Sequence, residues 1–177
     1  MTRAGIGGLF AASLLLVPAA SADPASDGAG LLAPFKADLK AALMAGLEKG
    51  PAGAIEVCRT EAPGIAAALS SDEVRMGRTS HRLRNAANEA PQWVAPIVAT
   101  WTAADAERTP VVVELADDRA GYVEPIMVQP MCLACHGETL AEDVAARIAT
   151  LYPADQATGF SVGDFRGVFW VEFPKRD

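Results

Sequence analysis

Two cysteines three positions apart with a histidine directly after the second, Cys132-Leu133-Ala134-Cys135-His136, constrain this chain more than any other feature. Both thiols must face one side of a tight turn, and the rest of the chain must fold around whatever they hold. The spacing is that of covalent c-type haem attachment: the thiols reach two vinyl groups on one porphyrin edge, and the next imidazole lies under the iron as an axial ligand. A redox-active disulfide does not require His136, and no thioredoxin-like βα junction precedes the motif. A structural zinc site needs four ligands; Cys58, Cys132, Cys135 and one histidine could supply them, but the paired knuckle spacing is missing. The expectation is one haem c attached through Cys132 and Cys135, with His136 on the iron.

Residues 1–22 read as a secretory signal, with Arg3 as the positive start, Leu9 to Val17 as the apolar stretch and Ala20-Ser21-Ala22 as the cleavage site. The apolar stretch is too short for a bilayer span and no second one approaches 18 apolar residues, so no membrane span is expected after cleavage. Export fits the motif, because c-type haem is attached outside the cytoplasm; the expected compartment is the periplasm. Loss of Arg3 leaves 14 basic against 22 acidic side chains, a net charge of −8. That balance speaks against nucleic acid or an anionic membrane surface as a partner.

Residues 23–30 are rich in Ala, Gly, Ser and Pro and read as a flexible lead-in, leaving residues 31–177 as one domain. Leu32, Phe35, Leu39, Leu43 and Leu47 form an amphipathic stripe that Gly50-Pro51 stops. A second helix is expected from about Ala52 to Ala62, with Cys58 facing inward beside Ile55 and Ala62; Pro63 ends it and opens a next segment that carries Ile65 and Leu69 before the Ser70-Ser71-Asp72 turn. Glu73 to Thr79 reads as a strand, and Gln92 to Glu107 as a helix with Trp93, Ile97 and Trp101 in line. Val111 to Ala116 and Tyr122 to Val128 read as a hairpin. Thr139 and Glu142 have the spacing of a capping box for a helix ending at Tyr152-Pro153, and Gly167 to Phe173 reads as a last strand. The fold class is α+β, with three or four antiparallel strands.

The chain resembles one bacterial family across roughly Leu31 to Pro174. The motifs that carry the likeness are Ile55-Glu56-Val57-Cys58, Gly77-Arg78-Thr79-Ser80 running into Arg84-Asn85 and Asn88, Pro125-Ile126, the attachment run with Gly137, Tyr152-Pro153-Ala154-Asp155-Gln156-Ala157 and Gly163-Asp164-Phe165-Arg166-Gly167. They match the single-haem c-type domains with a PAS-like fold, which occur alone or as the sensing heads of signalling proteins. Ala86 departs from the proline usual after Arg-Asn, which touches only the rigidity of that turn. The resemblance implies a PAS-like antiparallel sheet with flanking helices and a covalent haem, and implies Cys58 as the distal iron ligand.

From the residues alone, Cys58 is left over after attachment and has three readings: a buried inert thiol, an intermolecular disulfide, or the sixth ligand. Met44, Met76, Met127 and Met131 offer thioethers, although Met131 sits too close to the attachment motif to reach the opposite haem face easily, and His81, in an arginine-rich stretch, reads as a pocket or surface residue rather than a ligand. A thiolate on iron stabilises the ferric state, so Cys58 is expected to loosen on reduction and admit a small gas ligand. Arg78, Arg82 and Arg84 share one face of an extended backbone and are expected to clamp the haem propionates, against a plainer reading as a solvated edge strand. The trio of Trp93, Trp101 and Trp170 reads as core.

The leading expectation is a periplasmic redox or small-gas sensor without catalytic residues, coupled to a separate redox or signalling protein. A soluble electron-transfer cytochrome is the first alternative, and a haem-thiolate enzyme acting on peroxide or nitrogen oxides the second. For the latter no distal acid–base pair is visible beyond His81.

Overall fold

The computed structural model describes Met1 and residues 23–176; the expected signal segment lies outside the described residues. Its elements are α1 (Pro24–Leu47), α2 (Pro51–Leu69), β1 (Arg75–Thr79), α3 (Ala95–Trp101), β2 (Val111–Leu115), β3 (Arg119–Met127), α4 (Leu133–His136), α5 (Glu142–Leu151) and β4 (Phe165–Pro174). The four strands form one antiparallel sheet in the order β1-β4-β3-β2. The fold class is α+β, as expected.

The expected lead-in is corrected: residues 24–30 are the first two turns of α1. Asp23 caps that helix by accepting from the Ala25 amide at 3.1 Å, and Pro24 sits where its missing N–H costs nothing. Tertiary packing then overrides the flexible composition. Leu32 and Phe35 are fully buried against Met76, Tyr122, Val171 and Phe173. Gly28 permits the approach, since a Cβ there would lie 2.3 Å from the Cβ of Tyr122.

Pro63 does not end α2, which continues to Leu69. The helix is held by burial of Ala54, Ile55 and Ala62, so the hydrogen bond that proline removes is absorbed within it. The helix expected over 92–107 shrinks to α3, where only Val98 and Trp101 are buried. Strand β3 begins at Arg119, three residues earlier than expected, because Asp117 and Asp118 adopt left-handed φ values of 55° and 57° and close the hairpin tightly. The capping box is not made: α5 starts at Glu142, with Ala141 at its N-cap and no side-chain cap.

Strand β4 is apolar on both faces, as a central strand must be when both sides are covered. Phe169, Val171 and Phe173 face α1, whereas Val168 and Trp170 pack with Val94, Val98 and Trp101. The register breaks at Ile126/Met127. From there the chain leaves the sheet to build α4, α5 and a return segment, pinned by Val128 N–H to Asp164 O at 2.9 Å.

Candidate functional site: one cavity with three thiols and an imidazole

A cavity of about 490 Å³ lies between α2, β1, residues 83–89 and α4. That is within the ~300–1,000 Å³ range of cofactor and ligand sites. Cys132, Cys135 and His136 line it from the 3₁₀ turn Pro130–Cys132 and from α4, and Cys58 lines it from α2. The structure thus brings Cys58 and the attachment run, 74 positions apart in sequence, onto one cavity. All three cysteines are free thiols. Met76 and Met131 line the cavity too, while His81 does not.

His136 is fixed by its ring: Nδ1–H donates to the carbonyl of Ala157 at 2.6 Å, which leaves Nε2 as the nitrogen with a free lone pair. Burial, reinforced by Arg166 and Arg84, lowers its pKa to about 3, against the opposing pull of the Ala157 bond and Asp155. The imidazole is therefore neutral at physiological pH, with Nε2 unprotonated. Burial also pushes the Cys135 thiol up; Arg84 pulls the other way, and Cys58 and Cys132 add to the rise. Tyr152, on the same wall, is raised by burial and next by Cys58.

The segment after α5 runs alongside α4. Phe160 N–H donates to His136 O and Gly159 N–H to Gly137 O, both at 2.9 Å. Arg84 ties the two together: its Nε and Nη2 bond the Asp155 carboxylate at 3.0 and 3.3 Å, and Nη2 also donates to Cys135 O at 2.6 Å and Ala157 O at 3.2 Å.

The expected arginine clamp is redrawn by the structure. Arg78 lines the cavity; Arg84 lines it as well, but its head is consumed by Asp155 and two carbonyls. Arg82 turns away into a second cleft with His81, lies 4.4 Å from the Phe160 ring centroid, and bonds the carbonyls of Gln156 and Thr158. The extended-strand assumption fails because the chain leaves β1 at Thr79, so alternation no longer sets which way residues 82 and 84 point.

Arg166 takes the place expected of Arg82. It lines the cavity from β4, its Nη1 donates to Ser80 Oγ at 2.8 Å, and its Nε is buried without a partner. Burial, with Arg78 and Arg84 nearby, lowers its pKa to about 10. Neither Arg78 nor Arg166 makes an ion pair among the described residues. Two guanidinium groups without an ion pair beside an apolar cavity, only Asp155 acting on Arg166 from a distance, suit an anionic counterpart such as two carboxylates on an apolar ring. In sequence Arg166 stood inside the Gly163-to-Gly167 run without a role; its position two residues before the apolar alternation of β4 was the available signal. Trp170 alone of the three tryptophans lines the cavity.

Among the described residues no three Cys, His, Asp or Glu side chains converge as metal ligands. No helix among them is long and apolar enough to cross a membrane.

Fold and site together define an α+β domain with a cavity lined by three thiols and one oriented imidazole. The chain belongs to the Tll0287-like family, whose model matches residues 23–174. The crystal structure of the cyanobacterial haem protein Tll0287 is similar, with a TM-score of 0.56 and 24% identity, covering 88% of this chain and 99% of that one. At that identity the likeness carries the fold. No curated protein sequence matches this chain.

Proposed function

We propose that this chain is a periplasmic single-haem c-type protein of PAS-like architecture that acts as a redox or small-gas sensor, with His136 and Cys58 as axial ligands. The observation that carries the reading is the shared cavity: Cys58 and the complete attachment run line it together, with all three thiols free and the imidazole neutral. The similar solved structure is that of a haem protein, which supports the same group here.

When bound, the haem supplies a one-electron redox centre and an iron that can take a diatomic ligand. Cys132 and Cys135 hold its edge. Arg78 and Arg166 balance its carboxylates. His136 is oriented by Ala157, so it donates through Nε2. Cys58 would supply the second axial donor from α2, a helix separate from α4, which carries His136, so a switch could act on one ligand without the other. A separate redox or signalling protein would read that switch. No catalytic residue is assigned.

Electron paramagnetic resonance and optical spectra of ferric and ferrous protein test this, wild type beside Cys58→Ala. A low-spin thiolate signature in the wild type that disappears in the variant is expected. An unchanged spectrum would replace Cys58 by Met76 or Met131 and turn the reading to an electron carrier. A ferrous protein that keeps its six-coordinate spectrum under CO would remove the gas-coupled switch.

A further inference from the structure

The carbonyl of Ala157 accepts two donors. One is His136 Nδ1–H at 2.6 Å, the other Arg84 Nη2 at 3.2 Å. A carbonyl has two lone pairs, but a charged donor on one of them draws density from the other and weakens it as an acceptor. Arg84 reaches this point because Asp155 grips it in a fork, and because its Nη2 also donates to Cys135 O at 2.6 Å.

Arg84 is not needed to put the carbonyl there. Asp155 Oδ1 accepts from the Ala157 amide at 3.1 Å, Gln156 N–H donates to Leu83 O at 2.8 Å, and Arg82 bonds the carbonyls on either side, of Gln156 and Thr158. The segment is held by three other anchors. The bond from Arg84 to Ala157 is therefore electronic in effect rather than architectural.

We infer that Arg84, braced by Asp155, is a positioning residue that sets the reduction potential by competing with His136 for the Ala157 carbonyl. The more strongly an axial imidazole donates its ring N–H, the more electron density it passes to the iron and the more it favours the ferric state. By sharing the acceptor, Arg84 restrains that donation and holds the potential up. Asp155 supports that effect by holding the guanidinium in its fork. This inference rests on the haem reading above, with His136 as ligand.

The experiment uses the full haem-loaded protein and compares wild type, Arg84→Lys, Asp155→Asn and, as a control for cavity charge alone, Arg78→Gln. Covalent haem content is measured first, by the pyridine haemochrome absorbance. The potential is then titrated, and the Nδ1–H resonance of His136 is read in protein labelled with 15N-histidine. Lysine keeps the charge but cannot fork to a carboxylate and two carbonyls together.

In Arg84→Lys the potential falls, with about a tenfold rise in the ferric-to-ferrous ratio at fixed poise, equivalent to about 59 mV for one electron. The Nδ1–H resonance moves downfield as its bond strengthens. Asp155→Asn, which loosens the fork, moves the Nδ1–H resonance in the same direction as Arg84→Lys, and Arg78→Gln lowers the potential while leaving the resonance in place. A loaded Arg84→Lys protein with wild-type potential and resonance would overturn the inference while leaving the haem reading intact. So would loss of haem in both Arg84→Lys and Asp155→Asn while Arg78→Gln loads normally, because the pair would then serve attachment. A wild type exported through a c-type haem maturation system that carries no covalent haem would overturn the haem reading itself.

Discussion

At the residue scale, His136 shows how one side chain is made ready for its task by its surroundings. Its ring is buried, flanked by Arg166 and Arg84, and tethered through Nδ1, so its pKa drops to about 3 from an ordinary 6.5. A folded-state pKa below the unfolded one means that the unfolded chain binds the proton first as pH falls. Stability contributed by neutral His136 is therefore complete above about pH 6.5 and is lost progressively toward pH 3. In a Cys132→Ala/Cys135→Ala chain, which cannot attach a cofactor, the urea midpoint should drop between pH 7 and pH 4. Adding His136→Gln should remove part of that drop, and an identical pH profile with and without the histidine would contradict the assignment. Residue identity singled out His136, Cys132 and Cys135, all three of which the structure places on one cavity. It misplaced Arg82 and gave Arg84 the wrong partner, because a guanidinium on a long stem bonds whatever tertiary structure brings near.

At the element scale, the N-terminal helix carries the lesson. The composition of residues 23–30 argues against order, yet Asp23 caps α1 there and Gly28 lies against Tyr122. Gly28→Ala should destabilise the protein by about 1–3 kcal/mol, the usual range for overpacking a tight contact. That exceeds the gain of roughly 1 kcal/mol that alanine brings to a helix interior. Thermal or denaturant unfolding measures it, and a variant as stable as the wild type would show that α1 is not seated on the sheet at that residue. Helix α2 makes the complementary point. Pro63 broke the helix in the sequence reading, but Ala54, Ile55 and Ala62 are buried, and their packing keeps the helix going past the lost hydrogen bond. The result places Cys58 near the middle of a long helix rather than near a frayed end.

At the scale of the whole molecule, the cavity belongs to no single element. Helix α2 brings Cys58, the sheet brings Arg78 and Arg166, and the long return after β3 brings the attachment run and Tyr152. A group held covalently at Cys132 and Cys135 and ligated from α2 should couple these parts. The haem-loaded protein should melt higher than the Cys132→Ala/Cys135→Ala chain, and amide exchange should slow across residues 51–69 and 75–88 as well as around the motif. Protection confined to residues 130–137 would mean that α2 takes no part.

By itself the sequence determined what depends on short-range pattern. The Cys132–His136 motif, the paired apolar helices and the β-rich hairpin all follow from residue spacing over a turn or two. Only the tertiary structure decided which distant side chains meet. Arg166 rather than Arg82 faces the cavity, Ala157 accepts from His136, and Arg84 donates to the same carbonyl. Those partnerships depend on how strands register and where the chain leaves the sheet, and local periodicity carries no record of either.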